Sequence, residues 1–324
     1  MTAWAGGKAR IRGIPRTRHA GVLSRTWKAQ GVPDCFIVSP SIDTVSAGDV
    51  ASTRKQQGWI YRYSTLVRVS HWVNVLCLAI LLMSGLQIFN AHPALYWGED
   101  SDFERPVLSI YTAFTAEGRP IGMTSILGRS FDTTGVLGRS ELNGRPVQRA
   151  FPGWITIPSV QDLATGRVWH FFFAWLFVVN GVGYLSYSIV SRRFARDLLP
   201  HREQWKHVGG AIRDHLTPRL HRGMNAADYN LIQRLSYLVV ILALAPLVVL
   251  SGLTMSPAVD AAAPWLLDAF GGRQSARTMH FITTWLLTLF VFVHVVMVLV
   301  SGFLNNIRSM ITGWYAIESE RRLP

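Results

Sequence analysis

Four long apolar stretches, each bounded by polar or basic sequence, dominate the pattern of this chain, at roughly 69–91, 167–190, 235–256 and 279–302. A helix rising about 1.5 Å per residue needs about 20 apolar residues to cross a hydrocarbon layer about 30 Å thick, so each stretch predicts a spanning helix. The fold class expected is all-α: an integral membrane four-helix bundle occupying residues 58–312. Residues 1–57 are rich in Arg, Gly, Ser and Pro without a sustained hydrophobic period, which predicts a basic, mostly disordered arm. Residues 313–324 are read as a short tail.

The connections differ in kind. Residues 91–166 form a long one, punctuated by Gly, Pro and Trp, and predict an ordered cap over the bundle rather than a floppy loop. Within it a Leu-Gly-Arg-Ser phrase recurs at Leu127–Ser130 and Leu137–Ser140, which suggests two similar hairpin turns. In 191–234, Trp205, Val208, Ile212 and Leu216 recur at spacings of three and four, as in a short amphipathic helix lying on the membrane surface. The third connection predicts a turn with a brief helix.

Composition agrees: 49% of residues are hydrophobic and 16% charged. The net charge of +13 would suit a nucleic-acid partner if it were clustered on a soluble face, but its placement follows the helices instead. Lys and Arg number eleven up to Arg68, nine in 191–234 and three after residue 302, against seven in 91–167 and two in 257–277. The excess on alternate segments places both termini and the second connection in the cytoplasm and the cap outside it. Two cysteines, Cys35 and Cys77, offer no spacing for zinc, iron–sulfur or c-type haem. The first apolar stretch starts too late for a cleavable signal peptide.

Four of the ten histidines fall inside predicted spans: His71, His170, His280 and His294. An imidazole in hydrocarbon needs a partner, so each is a functional candidate, with a hydrogen bond across helices as the plainer role. His280 and His294 are 14 residues apart, nearly four helical turns, so they share a face and differ in depth by about 21 Å. Helices that alternate in direction then put His71 at the depth of His294 and His170 at the depth of His280. Two bis-histidine irons, one in each leaflet, follow from that matching, and imidazole suits iron. The expected cofactors are therefore two stacked haems. His92, at the end of the first helix before Pro93, is a rival ligand. Gly85 shares the face of His71 at the depth of His170, where a missing side chain could admit a macrocycle; Gly181 and Gly183 could serve the other level. Arg68 is placed either to neutralise a haem propionate or to act as a topology signal.

At "RVSHW", "DYNLIQRLSY" and "MHFITTWLLTLFVFVHV" the chain resembles the membrane cytochrome b subunits of nickel–iron hydrogenase, formate dehydrogenase and thiosulfate reductase, related to bacterial cytochrome b561. The resemblance spans roughly residues 60–310, and His71, His170, His280 and His294 fall on that family's ligand pattern. It implies two haem b groups in the cytoplasmic membrane of a bacterium, carrying electrons between the quinone pool and a periplasmic redox subunit, with a molybdopterin enzyme the first partner to expect. It implies too that this chain is the electron-transfer subunit of an oxidoreductase complex rather than an enzyme by itself. A quinone pocket near the start of the third helix would draw on Asn225, Tyr229, Asn230 and Gln233, residues that could equally cap a helix entry. Two other classes stand beside this one: a haem-free transporter using the same histidines, disfavoured by the lack of Asp or Glu in the spans, and an anchoring or assembly subunit.

Overall fold

The computed structural model describes residues 54–142, 145–192, 194, 199 and 231–321. Most of the 1–57 arm, the expected surface helix of Trp205, Val208, Ile212 and Leu216, and the last three residues lie outside that set. Four helices are long and apolar enough to cross a membrane: α1 (Thr65–Phe89), α2 (Leu163–Val190), α3 (Leu231–Val239, Val240–Leu244 and Ala245–Thr254 in unbroken succession) and, further on, α6 (Arg273–Val300). All begin a turn or more before the apolar stretch that announced them. Backbone pairing rather than apolarity sets a first turn, as at α2, where the Asp162 carboxylate accepts from the Thr165 N–H at 3.1 Å and caps the helix.

Within α3, Val240–Leu244 forms a wider π turn. Pro246 follows at once. Its ring has no N–H to give the Leu242 carbonyl and crowds it, and a π turn absorbs that conflict without breaking the helix.

Side chains are sorted opposite to a water-soluble protein. Val168, Phe172, Trp175, Val190 and Phe292 point outward, while Ser70, Cys77, Ser84, Ser188, Ser251, Thr254 and Thr283 are buried. Lipid accepts the large apolar groups, and small residues let helices approach closely. α1 packs chiefly on α2, and α3 on α6. The first interface carries a polar clasp, in which Asn180 donates to the Asn74 side-chain oxygen at 2.8 Å and to the Ser70 carbonyl at 3.0 Å.

The all-α expectation holds for the spans and fails for the 91–166 connection. Four strands, β2 (Ala94–Leu95), β3 (Leu108–Phe114), β4 (Pro120–Ile126) and β5 (Arg129–Asp132), form an antiparallel sheet in that order, and β6 (Arg139–Leu142) pairs with β7 (Arg145–Gln148). The repeated phrase has two fates. Leu127 and Gly128, both at positive φ, make the tight turn that joins β4 to β5, whereas Gly138 (φ 81°) leads into β6 where a Cβ would lie 2.7 Å from the Tyr111 carbonyl oxygen. The cap's core is Leu86 and Phe89 of α1 with Leu95, Ile110, Ala150 and Phe151, so the cap is built onto the end of a spanning helix. Asn90 clasps the Phe151 backbone on both sides, at 2.7 and 3.1 Å.

Two short helices, α4 (Pro257–Ala262) and α5 (Pro264–Ala269), fill the third connection. After α6 comes α7 (Phe303–Thr312), and then β8 (Trp314–Arg321), which pairs antiparallel with β1 (Arg54–Tyr61) from Arg54↔Arg321 to Tyr61↔Trp314. Residues 54–57 and 314–321 therefore belong to a two-stranded ribbon, correcting the arm boundary at 57 and the reading of 313–324 as a plain tail. Alternating polarity in an eight-residue strand is a weak signal unless its distant partner is known. The bundle thus has a cap end and a ribbon end.

Candidate cofactor-binding site

The four spanning histidines come together as two pairs. The ring centres of His170 (α2) and His280 (α6) are 6.2 Å apart near the cap end. Those of His71 (α1) and His294 (α6) are 6.3 Å apart near the ribbon end. These gaps are too wide for hydrogen bonding and fit a shared metal. An imidazole nitrogen sits ~2.0 Å from a bound metal and its ring centre about 1.1 Å behind it, so two rings on one metal have centres ~6 Å apart. Carboxylate and thiolate ligands are missing from both places: no cluster of three or more His, Cys, Asp or Glu occurs among the described residues. A donor set of two neutral imidazoles suits an iron whose remaining positions are filled by a macrocycle.

Helix backbones shape the cap-end pair. A Cβ on Gly85 would meet His170 Cε1 at 3.4 Å, and one on Gly252 would meet His280 Cε1 at 3.1 Å. Gly85 thus lies at the expected depth, against the ligand candidate itself. Gly252 had not been singled out, although the shared Ser-Gly-Leu of 84–86 and 251–253 was there to find it. Gly181 and Gly183 have open space where a Cβ would stand. Ser84 Oγ lies 3.1 Å from His170 Nδ1, Ser251 Oγ 3.3 Å from His280 Nδ1, and the Val248 carbonyl 2.9 Å from the latter. At the other level His294 stacks on Phe290 at 6.2 Å, and His71 Nδ1 is buried without a hydrogen-bond partner.

Cationic groups border both levels. Arg68 donates to the Ile311 carbonyl and, at 3.0 Å, to Thr65 Oγ1, tying α1 to α7. Arg277, one turn before His280, donates to the His92 carbonyl and lies over the Phe89 ring. Arg149 of the cap is 4% exposed and donates from its two terminal nitrogens to neutral oxygens: Ser159 at 2.5 Å, Gln87 at 2.6 Å and Thr156 at 2.7 Å. Burial pulls its pKa down.

The His92 ring lies against Tyr96 and Phe103. Of the four residues expected around a quinone, Asn225, Tyr229 and Asn230 lie outside the described residues. Gln233 is described, at the ribbon end of α3, where its Nε2 donates to the Tyr237 hydroxyl at 2.9 Å.

Comparison with known proteins identifies the family. The family described as prokaryotic cytochrome b561 matches residues 62–313. A putative protein-methionine-sulfoxide reductase subunit YedZ1 of Azospira oryzae is 28% identical over 232 residues, 72% of this chain and 87% of that protein. No solved structure matches.

Proposed function

Since this chain belongs to the prokaryotic cytochrome b561 family, whose members bind haem b, we propose that it carries electrons across the bacterial cytoplasmic membrane between the quinone pool and a periplasmic oxidoreductase, on two haem b groups. His170 with His280 would hold one and His71 with His294 the other. The observation that carries this reading is the pair of ring separations, 6.2 and 6.3 Å, at two depths of one bundle. A haem held between two imidazoles supplies one-electron chemistry with no open coordination position. The role of the chain is then to hold, insulate and tune rather than to transform a substrate. The outward Val and Phe side chains of α2 and α6 exclude water from both levels.

The charge asymmetry favours a periplasmic cap and a cytoplasmic ribbon. On that orientation the partner docks on the cap, beside the His170–His280 level, where Phe103, Phe114, Leu127 and Trp154 are exposed. The relative's name makes a protein-methionine-sulfoxide reductase the partner to try first, and a molybdopterin enzyme the expected type. A quinone would exchange electrons near the ribbon end, with the Gln233–Tyr237 pair and Arg68 as its polar neighbours. Quinone chemistry moves protons with electrons, so polar groups at the membrane rim suit it.

The test is a haem count on the purified protein with a reduced-minus-oxidised spectrum. Two low-spin b-type haems per chain are expected. A folded chain that takes up none would return the histidines to transport or anchoring, and one haem per chain would overturn the two-site assignment.

A further inference from the structure

The two cap-end histidines are seated in the same way. α2 and α6 are both 28 residues long, and His170 and His280 are the eighth residue of each. Each packs on a neighbouring helix that carries Ser-Gly-Leu, at 84–86 on α1 and 251–253 on α3. Ser84 Oγ donates to the Ile80 carbonyl at 2.7 Å and Ser251 Oγ to the Leu247 carbonyl at 2.6 Å. Each hydroxyl proton is therefore spent four residues back on its own helix, and the oxygen's lone pairs face the ring nitrogen 3.1 or 3.3 Å away. At His280 a backbone carbonyl three residues before the serine, that of Val248, faces the same nitrogen at 2.9 Å. A carbonyl oxygen only accepts, so Nδ1 carries the proton in His280; at His170 the Ser84 hydroxyl, already donated to Ile80, assigns the same tautomer, and Nε2 presents its lone pair in both rings. The glycine after each serine leaves room for the ring to lie against the helix. The ribbon-end pair has no such seat, since His71 Nδ1 is buried without an acceptor.

We propose that Ser84–Gly85 and Ser251–Gly252 are two copies of one imidazole seat, and that their hydroxyls hold the reduction potential of the cap-end haem below that of the ribbon-end haem. This rests on the two-haem reading above. An acceptor on Nδ1–H pushes electron density toward Nε2, makes the imidazole a stronger donor and favours the ferric state. Two seated imidazoles on one iron add their effects, while the ribbon-end iron has at least one ligand without that support. The serines are positioning residues that act through the histidines.

The test is an optical redox titration of the full-length protein, with its two steps assigned beforehand by His170→Ala and His71→Ala. In the wild type the cap-end step should be the lower. Ser84→Ala and Ser251→Ala should each move that step upward, the double substitution should move it further, and the ribbon-end step should stay in place. Ser84→Thr, which keeps the hydroxyl, should titrate as wild type. A cap-end step that is the higher in the wild type, or that stays put or falls in both alanine variants, overturns the proposal. So does equal movement of both steps. Where Ser84→Ala loses the haem, retention in Ser84→Thr supports the hydroxyl's role and loss there refutes it. Failure of the two-haem reading shows earlier and differently, as a wild-type chain without haem removable by His170→Ala.

Discussion

His71 on α1 and His294 on α6 face each other with ring centres 6.3 Å apart, and a second pair repeats that spacing about four turns away on α6. Because α6 supplies one histidine to each pair, the partners sort by depth, not by order in the chain. His71→Ala and His294→Ala are expected to remove the same haem, about half the total, and His170→Ala and His280→Ala the other. Spectra of the four variants check this. Loss of one common haem in His71→Ala and His280→Ala would break the pairing.

The two seat glycines are not equivalent. A Cβ at 252 would press within 3.1 Å of His280 Cε1 and 3.4 Å of its Nδ1, whereas at 85 the corresponding distances to His170 are 3.4 and 3.7 Å. The first is tighter than most packed Cβ contacts, so the ring must give by a few tenths of an ångström, and the second is ordinary contact. Gly252→Ala should therefore lower occupancy of the cap-end haem or disturb its low-spin band, with Gly85→Ala near wild type.

Much of this was legible in the sequence and some was not, for identifiable reasons. The spans were readable because hydrocarbon demands about 20 consecutive apolar residues, a signal few other structures produce. The depth matching of His71, His170, His280 and His294 followed from helix geometry and alternating direction. Strand pairing in the cap was not readable: β3 and β4 each carry seven residues of mixed polarity, and their meaning depends on partners brought close by turns. The ribbon was harder still, as Arg54–Tyr61 meets its partner only at the other end of the chain. Ser84 and Ser251 escaped notice because a serine in a membrane helix usually satisfies itself on the preceding turn, as these two also do.

Arg149 should govern how firmly the cap sits on α1. Its guanidinium joins Ser159 and Thr156 of the cap to Gln87 of α1, and Gln87, 1% exposed, donates to the Val160 carbonyl. Removing the arginine leaves several buried oxygens unpaired, at about 1–3 kcal/mol for each that water cannot reach. Arg149→Met is expected to lower the thermal midpoint of the cap and expose it to protease, and Arg149→Lys to recover only part of the loss, since a single ammonium cannot reproduce the planar fork. Wild-type resistance in Arg149→Met would show the cap to be held by its apolar core alone.

His92 should make cap stability depend on pH. Burial chiefly, and the Arg277 charge secondarily, hold its pKa below the ordinary value; its Nε2 is buried without a partner and its ring lies against Tyr96 and Phe103. Above pH ~6.5 the imidazole is neutral in both folded and unfolded chains and contributes no pH dependence. As pH falls below ~6.5 the unfolded chain takes up a proton that the folded cap resists, so stability declines until the folded-state pKa is passed and then levels off. The thermal midpoint of the cap should thus be lower at about pH 5.5 than at about pH 7.5, and His92→Gln should flatten that difference. An unchanged pH response in His92→Gln would assign the effect to another group. A midpoint that rises on acidification in the wild type, and not in the variant, would mean that His92 gains an anionic partner when protonated.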